Sequence, residues 1–396
     1  MSDFDVHRFV EAQIDTVRKA LDGEKALIAV SGGVDSTVAA IITHRTIGDN
    51  LVCAFIDDNF MRLGEPENVR KILSAPPLSL PVKIHDERDR FMVALRGLGD
   101  AEEKRKAFRE TFYVALSDAA RSEDCRYLVQ GTIKADVIET KGGIKTQHNV
   151  LEQIGINPFR QFGFRVIEPI AALYKYQVRE VARHLGAPKE ISERQPFPGP
   201  GLSVRVVGEI TPEKLQQLKK ATSIAEDAFK IHAPDQYLAA IFSGDVTKAP
   251  EILRTEAAEA LNLDASQVDV RFFRERATGI IGDKRAYGLI AAIKAFRSSA
   301  RLPELDYRSL EKMMEHLRKA DPAITRVLLL IDEKKRSGYS IALRAVKTKD
   351  FITAAIAEVP FSTIRDAAAN ILSACAMVSN VYLDVTPKPP ATIEFE

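Results

Sequence analysis

The run Lys25-Ala-Leu-Ile-Ala-Val30, followed at once by Ser31-Gly32-Gly33-Val34-Asp35-Ser36, decides the fold class. A short apolar run that stops at glycines suits a strand buried on both faces. Val34 to His44 then reads as a helix. Glycines between such a strand and such a helix permit positive φ and let the backbone approach a ligand. The N–H groups that open the helix have no intrahelical partner, and with the helix dipole behind them they form an anion site. Ser31 and Ser36 add hydroxyl donors. Asp35 alone would repel a phosphate; it makes sense as a ligand for Mg²⁺ that bridges phosphate oxygens. A serine-capped glycine turn without a ligand is the competing reading, and the strand-to-helix setting argues against it. The Gly-Lys-Ser/Thr ending of one common phosphate loop is missing, and so is GxGxxG.

Outward from the loop, strands and helices alternate. Residues 5 to 21 have the spacing of an amphipathic entry helix. Leu51 to Ile56, Val82 to Ile84 and Tyr127 to Gln130 read as further strands, with helices at Glu67 to Leu73 and Glu102 to Ser122. This alternation predicts an α/β domain with a parallel sheet, helices on both faces and ligands at the C-terminal ends of the strands. Residues 140 to 165 lack periodicity and are rich in Gly, Lys, Gln, His and Asn, as in a functional lid or a disordered segment. Val166 to Pro169 resumes the pattern, and Gln177 to Leu185 is a helix. Gln195-Pro-Phe-Pro-Gly-Pro-Gly-Leu202 is a rigid, irregular connector. It places a nucleotide-binding domain at 1–205 and a second domain at 206–396. The second domain repeats strand, helix, strand at a period of roughly 50 residues: Lys284 to Ile331 and Lys335 to Val385 have the same order, as in an α+β module with two related halves.

Bulk properties narrow the classes. A chain of 396 residues suits two domains, and 45% hydrophobic with 28% charged residues is ordinary for a soluble protein. A net charge of +1 gives no field for nucleic acid. Cys53, Cys125 and Cys375 lie far apart, which fits neither a zinc site nor a disulfide framework; Cys53 reads as a small buried hydrophobe. Residues 1–10 have no signal-peptide character and no apolar stretch reaches the length of a membrane span, so a cytoplasmic location is expected. The remaining histidines, at 7, 44, 85, 184, 232 and 316, show no ligand spacing and are read as surface or satisfied residues.

The loop SGGVDS resembles the pyrophosphate loop of the N-type ATP pyrophosphatases, adenine nucleotide alpha hydrolase-like proteins that split ATP between its α and β phosphates. Further motifs are similar to one branch, the ATP-pyrophosphatase subunit of the GMP synthetases. They are Phe55-Ile-Asp57 with Arg62, Gln130-Gly131-Thr132-Ile133 with Asp136-Val-Ile-Glu139, and Ile144-Lys145-Thr146 with His148-Asn149. Pro196-Phe-Pro-Gly-Pro-Gly-Leu202 with Val204-Arg205-Val206, Thr278 to Asp283 with Arg285 and Tyr287, and Lys388-Pro-Pro-Ala-Thr392-Ile393-Glu394 complete the set, which runs from residue 31 to the end. The sequence departs from that pattern at Asn59 (usually glycine), Gln147 (a lid histidine), Val150 to Pro158 after the lid, and Tyr176 (an acid). Lid handling of the base is the property these departures touch.

The resemblance implies ATP-dependent amination of xanthosine monophosphate through an adenylated intermediate, with ATP and Mg²⁺ as cofactors. No glutaminase domain is recognised before the first helix, so ammonia is expected from a separate glutaminase subunit or from solution. It also implies a homodimer formed through the second domain. Carried over residue by residue, Ser31, Gly32, Gly33, Val34, Asp35, Ser36 and Gly131 bind ATP, with Asp35 on the metal. Lys145 reaches phosphate when the lid closes or is a solvated lysine, and Asp136 and Glu139 hold metal or orient the base unless they are simple acids at a helix start. Lys175 is a further phosphate contact or a solvated helix residue, and His148 a substrate contact or a local cap. Arg205 contacts xanthosine monophosphate or is an ordinary strand arginine; Lys388, Thr392, Ile393 and Glu394 grip that nucleotide's phosphate and ribose or form a plain edge strand, while Arg285 and Tyr287 support the subunit interface or the tail. Two other readings compete: a degenerate regulatory paralogue that only binds nucleotide, and an adenylating RNA-modification enzyme. The intact loop opposes the first, and the absent cysteine pairs and near-neutral charge oppose the second.

Overall fold

The computed structural model describes residues 4–141, 163–282, 284–296, 306–348 and 352–396, and of residues 138–141 the backbone only. The chain divides into two compact units, Met1–Ala94 with Lys106–Gly199, and Leu95–Arg105 with Pro200–Glu396. The division falls at Pro200, inside the proline-rich connector, a few residues before the boundary read at Arg205, and Leu95–Arg105 groups with the second unit.

The first unit contains α1 (Val6–Leu21), β1 (Ala26–Ala29), α2 (Val34–Ile47), β2 (Leu51–Asp57), α3 (Glu65–Ser74), β3 (Val82–Asp86) and α4 (Arg88–Ala94). It continues with most of α5 (Ala101–Ser122), then β4 (Tyr127–Val129), α6 (Lys134–Lys141), β5 (Arg165–Ile167), α7 (Lys175–His184) and α8 (Lys189–Ser192). The strands form a five-stranded sheet in the order β3-β2-β1-β4-β5, with every pair parallel. The order reverses between β1 and β4, so the crevice beyond their C-terminal ends is the natural ligand position. Helix α2 carries many β-branched residues, poor helix formers by themselves, but Val38, Ala39, Ala40, Ile41 and Ile42 are buried around it. Packing by α1 and α7 overrides propensity there. Cys53 is fully buried in β2, and burial pushes its thiol up to about 12 and that of Cys125 up to about 11. The third cysteine, Cys375, is buried as well. Only a thiolate alkylates quickly. Iodoacetamide at pH 8 should therefore leave all three thiols unmodified in the native protein and modify all three after denaturation, as read by intact mass.

The second unit contains α9 (Pro212–Phe229), β6 (Gln236–Phe242), β7 (Val246–Lys248), α10 (Glu251–Leu261), β8 (Val268–Ile281), β9 (Lys284–Ala295) and α11 (Tyr307–Ala320). It ends with β10 (Ile324–Glu333), β11 (Tyr339–Lys347), β12 (Ala355–Ile356), α12 (Phe361–Ala374) and β13 (Val378–Asp384). Its sheet runs β12-β11-β13-β10-β9-β8-β7, with β6 also paired to β11. The expected repetition is present and extends further than the sequence pattern shows. Strands β9 and β10, and likewise β11 and β13, are parallel pairs around one helix each, and β10 meets β13 antiparallel. Each pair has a preceding antiparallel partner, β8 beside β9 and β6 beside β11. The unit is therefore two α-β-β-α-β modules. The module α10-β8-β9-α11-β10 lies in the chain between β6 and β11 of the module α9-β6-β11-α12-β13.

One face of this sheet buries Leu238, Phe242, Phe273, Leu328, Leu330 and Tyr382, and receives Phe395 from the end of the chain. Phe395 lies 5.4 Å from Phe242 between ring centroids, edge to face. Burying such a ring stabilises the unit by roughly 1.5–3 kcal/mol.

Candidate active site

In the first unit the phosphate loop sits where the topology puts it. Strand β1 runs on to Val30, whose N–H donates to Ala54 O at 2.9 Å, and the chain then turns through Ser31–Gly33 into α2. Gly32 takes φ +74°, and a Cβ there would stand 2.6 Å from Val69 Cγ2 and 2.9 Å from Arg194 Nη1, so only glycine fits. Gly33 is the N-cap of α2 in extended conformation at φ −78°, so the positive φ expected of the glycines is needed only at Gly32. No side chain caps Gly33. The hydroxyl of Ser36 donates to Gly33 O at 3.2 Å and lies 3.5 Å from the Ser31 hydroxyl. Val34 is buried by its side chain, so its backbone N–H is what it can offer a ligand.

Gly131 follows β4 and closes the other side of the crevice. A Cβ at Gly131 would lie 2.7 Å from Ser36 N and 2.8 Å from Asp35 C, so its backbone rests directly on the first turn of α2. Asp35 is partly buried: Oδ2 accepts a hydrogen bond from Lys175 Nζ at 2.6 Å, and Oδ1 is buried without a hydrogen-bond partner. Lys175 opens α7, so the sequence's uncertain candidate is placed against the loop. A buried, unpaired carboxylate oxygen is a hard donor of the kind Mg²⁺ takes, so Asp35 would hold such an ion, and the neighbouring N–H groups suit phosphate oxygens. The site thus fits the metal expected at Asp35.

Other expected residues fall differently. Asp136 Oδ2 accepts the N–H of Ile133 at 3.0 Å and so caps the start of α6. Glu139 lies on α6, but its side chain, like all of Lys145, Gln147 and His148, lies outside the described residues. Asn59 adopts φ +70°, a region asparagine tolerates better than most residues, and its N–H is held by Asp57 Oδ1 at 3.2 Å. That accounts for asparagine where glycine is usual. Thr132 donates to Glu168 Oε1 at 2.5 Å beside Gly131, and Arg194 pairs with the buried Glu65 beside Gly32. Neither contact has a sequence signal, because the partners are distant along the chain. The connector packs back on its own unit, with Phe197 beneath the Arg62 guanidinium at 4.1 Å.

In the second unit the tail residues gather around buried arginines. Arg205, 2% exposed, forms a fork with Glu394: Nε to Oε2 at 2.7 Å and Nη2 to Oε1 at 2.9 Å. Arg326 Nη2 donates to Thr392 O at 2.8 Å, to the Thr392 hydroxyl at 3.1 Å and to Glu394 O. Arg344 and Arg326 both donate to Asp384 Oδ2 at 2.8 Å. Ile393 packs on the apolar face with Phe395, and Lys388 is held by its backbone to Ala354, at 2.8 and 2.9 Å. The structure thus brings Arg205, Thr392 and Glu394 together and leaves Ile393 partly buried against the apolar face. Arg285 pairs with Glu102 at 2.9 Å. Among the described residues one group of metal-ligand type lies elsewhere, Glu256, Glu259 and His316, where His316 Nδ1 is satisfied by Glu256 at 2.9 Å. No helix among the described residues is long and apolar enough to cross a membrane.

A parallel sheet whose switch point presents an uncapped helix N-terminus, a glycine wall and a carboxylate paired with lysine defines a nucleotide-phosphate-binding α/β protein. Comparison with known proteins narrows this. The profile of the GMP synthase C terminal domain matches residues 330–395. The chain is 43% identical over 397 residues to the B-type subunit of the glutamine-hydrolyzing GMP synthase of Sulfurisphaera tokodaii, covering 99% of this chain and 100% of that protein. It is 39% identical over 393 residues to the corresponding GMP synthase component of Methanopyrus kandleri, again at 99% and 100% coverage. The chain belongs to this family of B-type GMP synthase subunits, which form the ATP-pyrophosphatase part of the enzyme. Among solved structures, an NH3-dependent NAD synthetase from Campylobacter jejuni in complex with nitrate aligns at 16% identity and a TM-score of 0.38, over 58% of this chain and 88% of that one.

Proposed function

We propose that this chain converts xanthosine monophosphate to GMP, using ATP and ammonia and releasing AMP and pyrophosphate. The observation that carries this reading, beside family membership, is the switch-point crevice with Asp35, Lys175 and the open start of α2. In the first step the C2 oxygen of xanthosine monophosphate attacks the α phosphorus of ATP, and the bond to the β-phosphate oxygen breaks. In the second, ammonia attacks C2, the C2–O bond breaks with AMP as the leaving group, and the nitrogen loses a proton.

The residues divide the work by charge. The N–H groups that open α2 and the hydroxyls of Ser31 and Ser36 receive the departing pyrophosphate, and fixed donors of this kind need no reorganisation as charge develops. Lys175 offsets part of the Asp35 charge in the free protein and is positioned to turn to phosphate oxygens when they arrive. Asp35 would hold Mg²⁺, which when bound supplies positive charge to the phosphate oxygens. Gly131 lets the chain after β4 pack directly against the first turn of α2, which holds that turn in place for the triphosphate. The tail, with Lys388, Thr392 and Glu394, takes the xanthosine nucleotide; the Arg205 fork holds Glu394 for that contact. A separate glutaminase subunit supplies ammonia, and two copies pair through the second unit.

The test is isotopic. Xanthosine monophosphate carrying ¹⁸O at C2 is incubated with ATP, Mg²⁺ and ammonium. GMP, AMP and pyrophosphate should form in equal amounts, with the label in the phosphate of AMP. No GMP at high ammonium, with ATP still bound, overturns the reading, and so does label that stays out of AMP.

A further inference from the structure

The tail ends on a buried ion pair that the proposed chemistry does not use. Lys104, from the first turns of α5, is fully buried and meets the Glu396 carboxylate, itself 1% exposed. Lys104 Nζ also donates to Val206 O and Gly208 O, both at 2.8 Å, and the N–H of Gly208 donates to Glu396 Oε1 at 2.8 Å. Arg105 donates to the backbone oxygen of Glu396, and Arg105 Nη1 lies 2.6 Å from Glu102, which also pairs with Arg285. The segment that carries Arg205 therefore has a neighbour on each side. Val207 N donates to Ile241 O of β6 at 2.9 Å, and Glu396 N donates to Val204 O at 3.1 Å.

Such a pair is a poor device for stability alone. Burial pushes the Lys104 ammonium below its ordinary range and the Glu396 carboxyl above its own, so each group resists its charge until the other is in place. An apolar pair of similar volume would commonly be as stable or more so. What an ion pair adds is register. Ile393 and Phe395 face the apolar sheet, while Glu394 and Glu396 face Arg205 and Lys104. Apolar contacts are non-directional, so Ile393 and Phe395 alone tolerate displacement of the tail across the sheet. Two carboxylates that must meet two different buried cations do not.

We infer that Lys104 and Glu396 are positioning residues that fix the register of the tail, and so set Glu394, Thr392 and Lys388 for the xanthosine nucleotide. The inference rests on the proposed reading of the tail as the nucleotide's binding segment. Neither residue touches substrate; both act through Arg205 and Glu394.

The experiment compares Lys104→Met, Glu396→Gln and the double variant Lys104→Met/Glu396→Met with the wild type. Steady-state constants for xanthosine monophosphate and ATP are measured, with direct calorimetric titration of xanthosine monophosphate and a thermal melt of each protein. Each single variant should raise KM and Kd for xanthosine monophosphate by about tenfold or more, while kcat and the KM for ATP stay within about twofold. The double variant should regain the melting temperature without regaining nucleotide affinity, because apolar packing restores stability but not register. Unchanged KM and Kd in Glu396→Gln, the variant closest in shape, overturn the inference. So does recovery of affinity in parallel with the melt, which marks a purely structural pair. If Lys104→Met does not fold, Glu396→Gln decides alone. A wild type that neither binds nor converts xanthosine monophosphate brings down the reading of the tail instead, a separate outcome.

Discussion

Asp35→Ala should lower kcat for GMP formation by roughly a hundred- to a thousandfold, the range seen when one fixed stabiliser of a developing charge is removed. The protein should stay folded. Asp35 sits partly exposed in the first turn of α2, and its ion pair with Lys175, whose side chain is 42% exposed, is screened by water. What changes is the electrostatics of the phosphate crevice. In the wild type Asp35 places a negative charge beside arriving phosphates, and Lys175 cancels part of it. Without metal, therefore, Asp35 opposes ATP; with Mg²⁺ it favours ATP. The variant removes both effects and releases Lys175 toward the phosphates. Titrations in EDTA should find ATP bound at least as tightly by the variant as by the wild type, and Mg²⁺ should tighten binding only in the wild type. Retention of kcat within about tenfold, or metal-dependent ATP binding in the variant, would remove Asp35 from the metal site.

The different fates of the expected residues follow from how far a pattern reaches. The loop Ser31–Ser36 was legible because strand, glycines and helix start are contiguous, so local rules suffice. The parallel sheet was legible for the same reason: each buried strand is an apolar run, and each alternates with a helix. Lys175 could be read only as a phosphate contact or a solvated residue, because its distance from Asp35 along the chain hides the pair. Asp136 and Glu139 had the spacing of a shared helix face, but spacing alone does not tell a ligand from a simple acid at a helix start; Asp136 Oδ2 accepts the N–H of Ile133, and the Glu139 side chain lies outside the described residues. The second unit was read from the strand-helix-strand repeat in its later part. Strand β8, Val-Asp-Val-Arg-Phe-Phe-Arg-Glu-Arg in its first residues, carries too many charges to announce itself, and β6 is separated from its partner β11 by an entire module. Arg326 and Arg344 carry no sequence signal, because an arginine in a strand usually marks the solvent face. Here the strand is buried along most of its length, and the arginine finds its counter-charge in another strand.

That counter-charge gives the largest expected effect on stability. Asp384 is fully buried on β13, where Oδ2 accepts from Arg326 Nη1 and Arg344 Nη1, each at 2.8 Å, and Oδ1 accepts from the N–H of Thr386 at 3.0 Å. One carboxylate thus serves two buried guanidinium groups. Burial pulls Arg326 down to about 10, still charged at neutral pH, and the Asp384 charge opposes that shift. Asp384→Ala leaves both cations without it, and breaking a buried pair from one side costs about 3–5 kcal/mol. For a unit of this size that corresponds to a fall of roughly 10 °C in melting temperature. Asp384→Asn keeps the shape and an acceptor oxygen but not the charge. It should fall almost as far, whereas a deficit of lost hydrogen bonds alone would leave it near the wild type. The tail should loosen with it, because the same two arginines hold the carbonyl of Thr392, at 2.8 Å from Arg326 and 3.3 Å from Arg344. Calorimetric melting of both variants, with hydrogen exchange at residues 392–396, is the measurement. A loss under about 1 kcal/mol would mean that water reaches the guanidinium groups and that the cluster behaves as a surface pair. A large loss with undiminished protection of the tail would leave the charge cluster holding the sheet alone, and would assign the tail's position to Phe395 and the Lys104 contact instead.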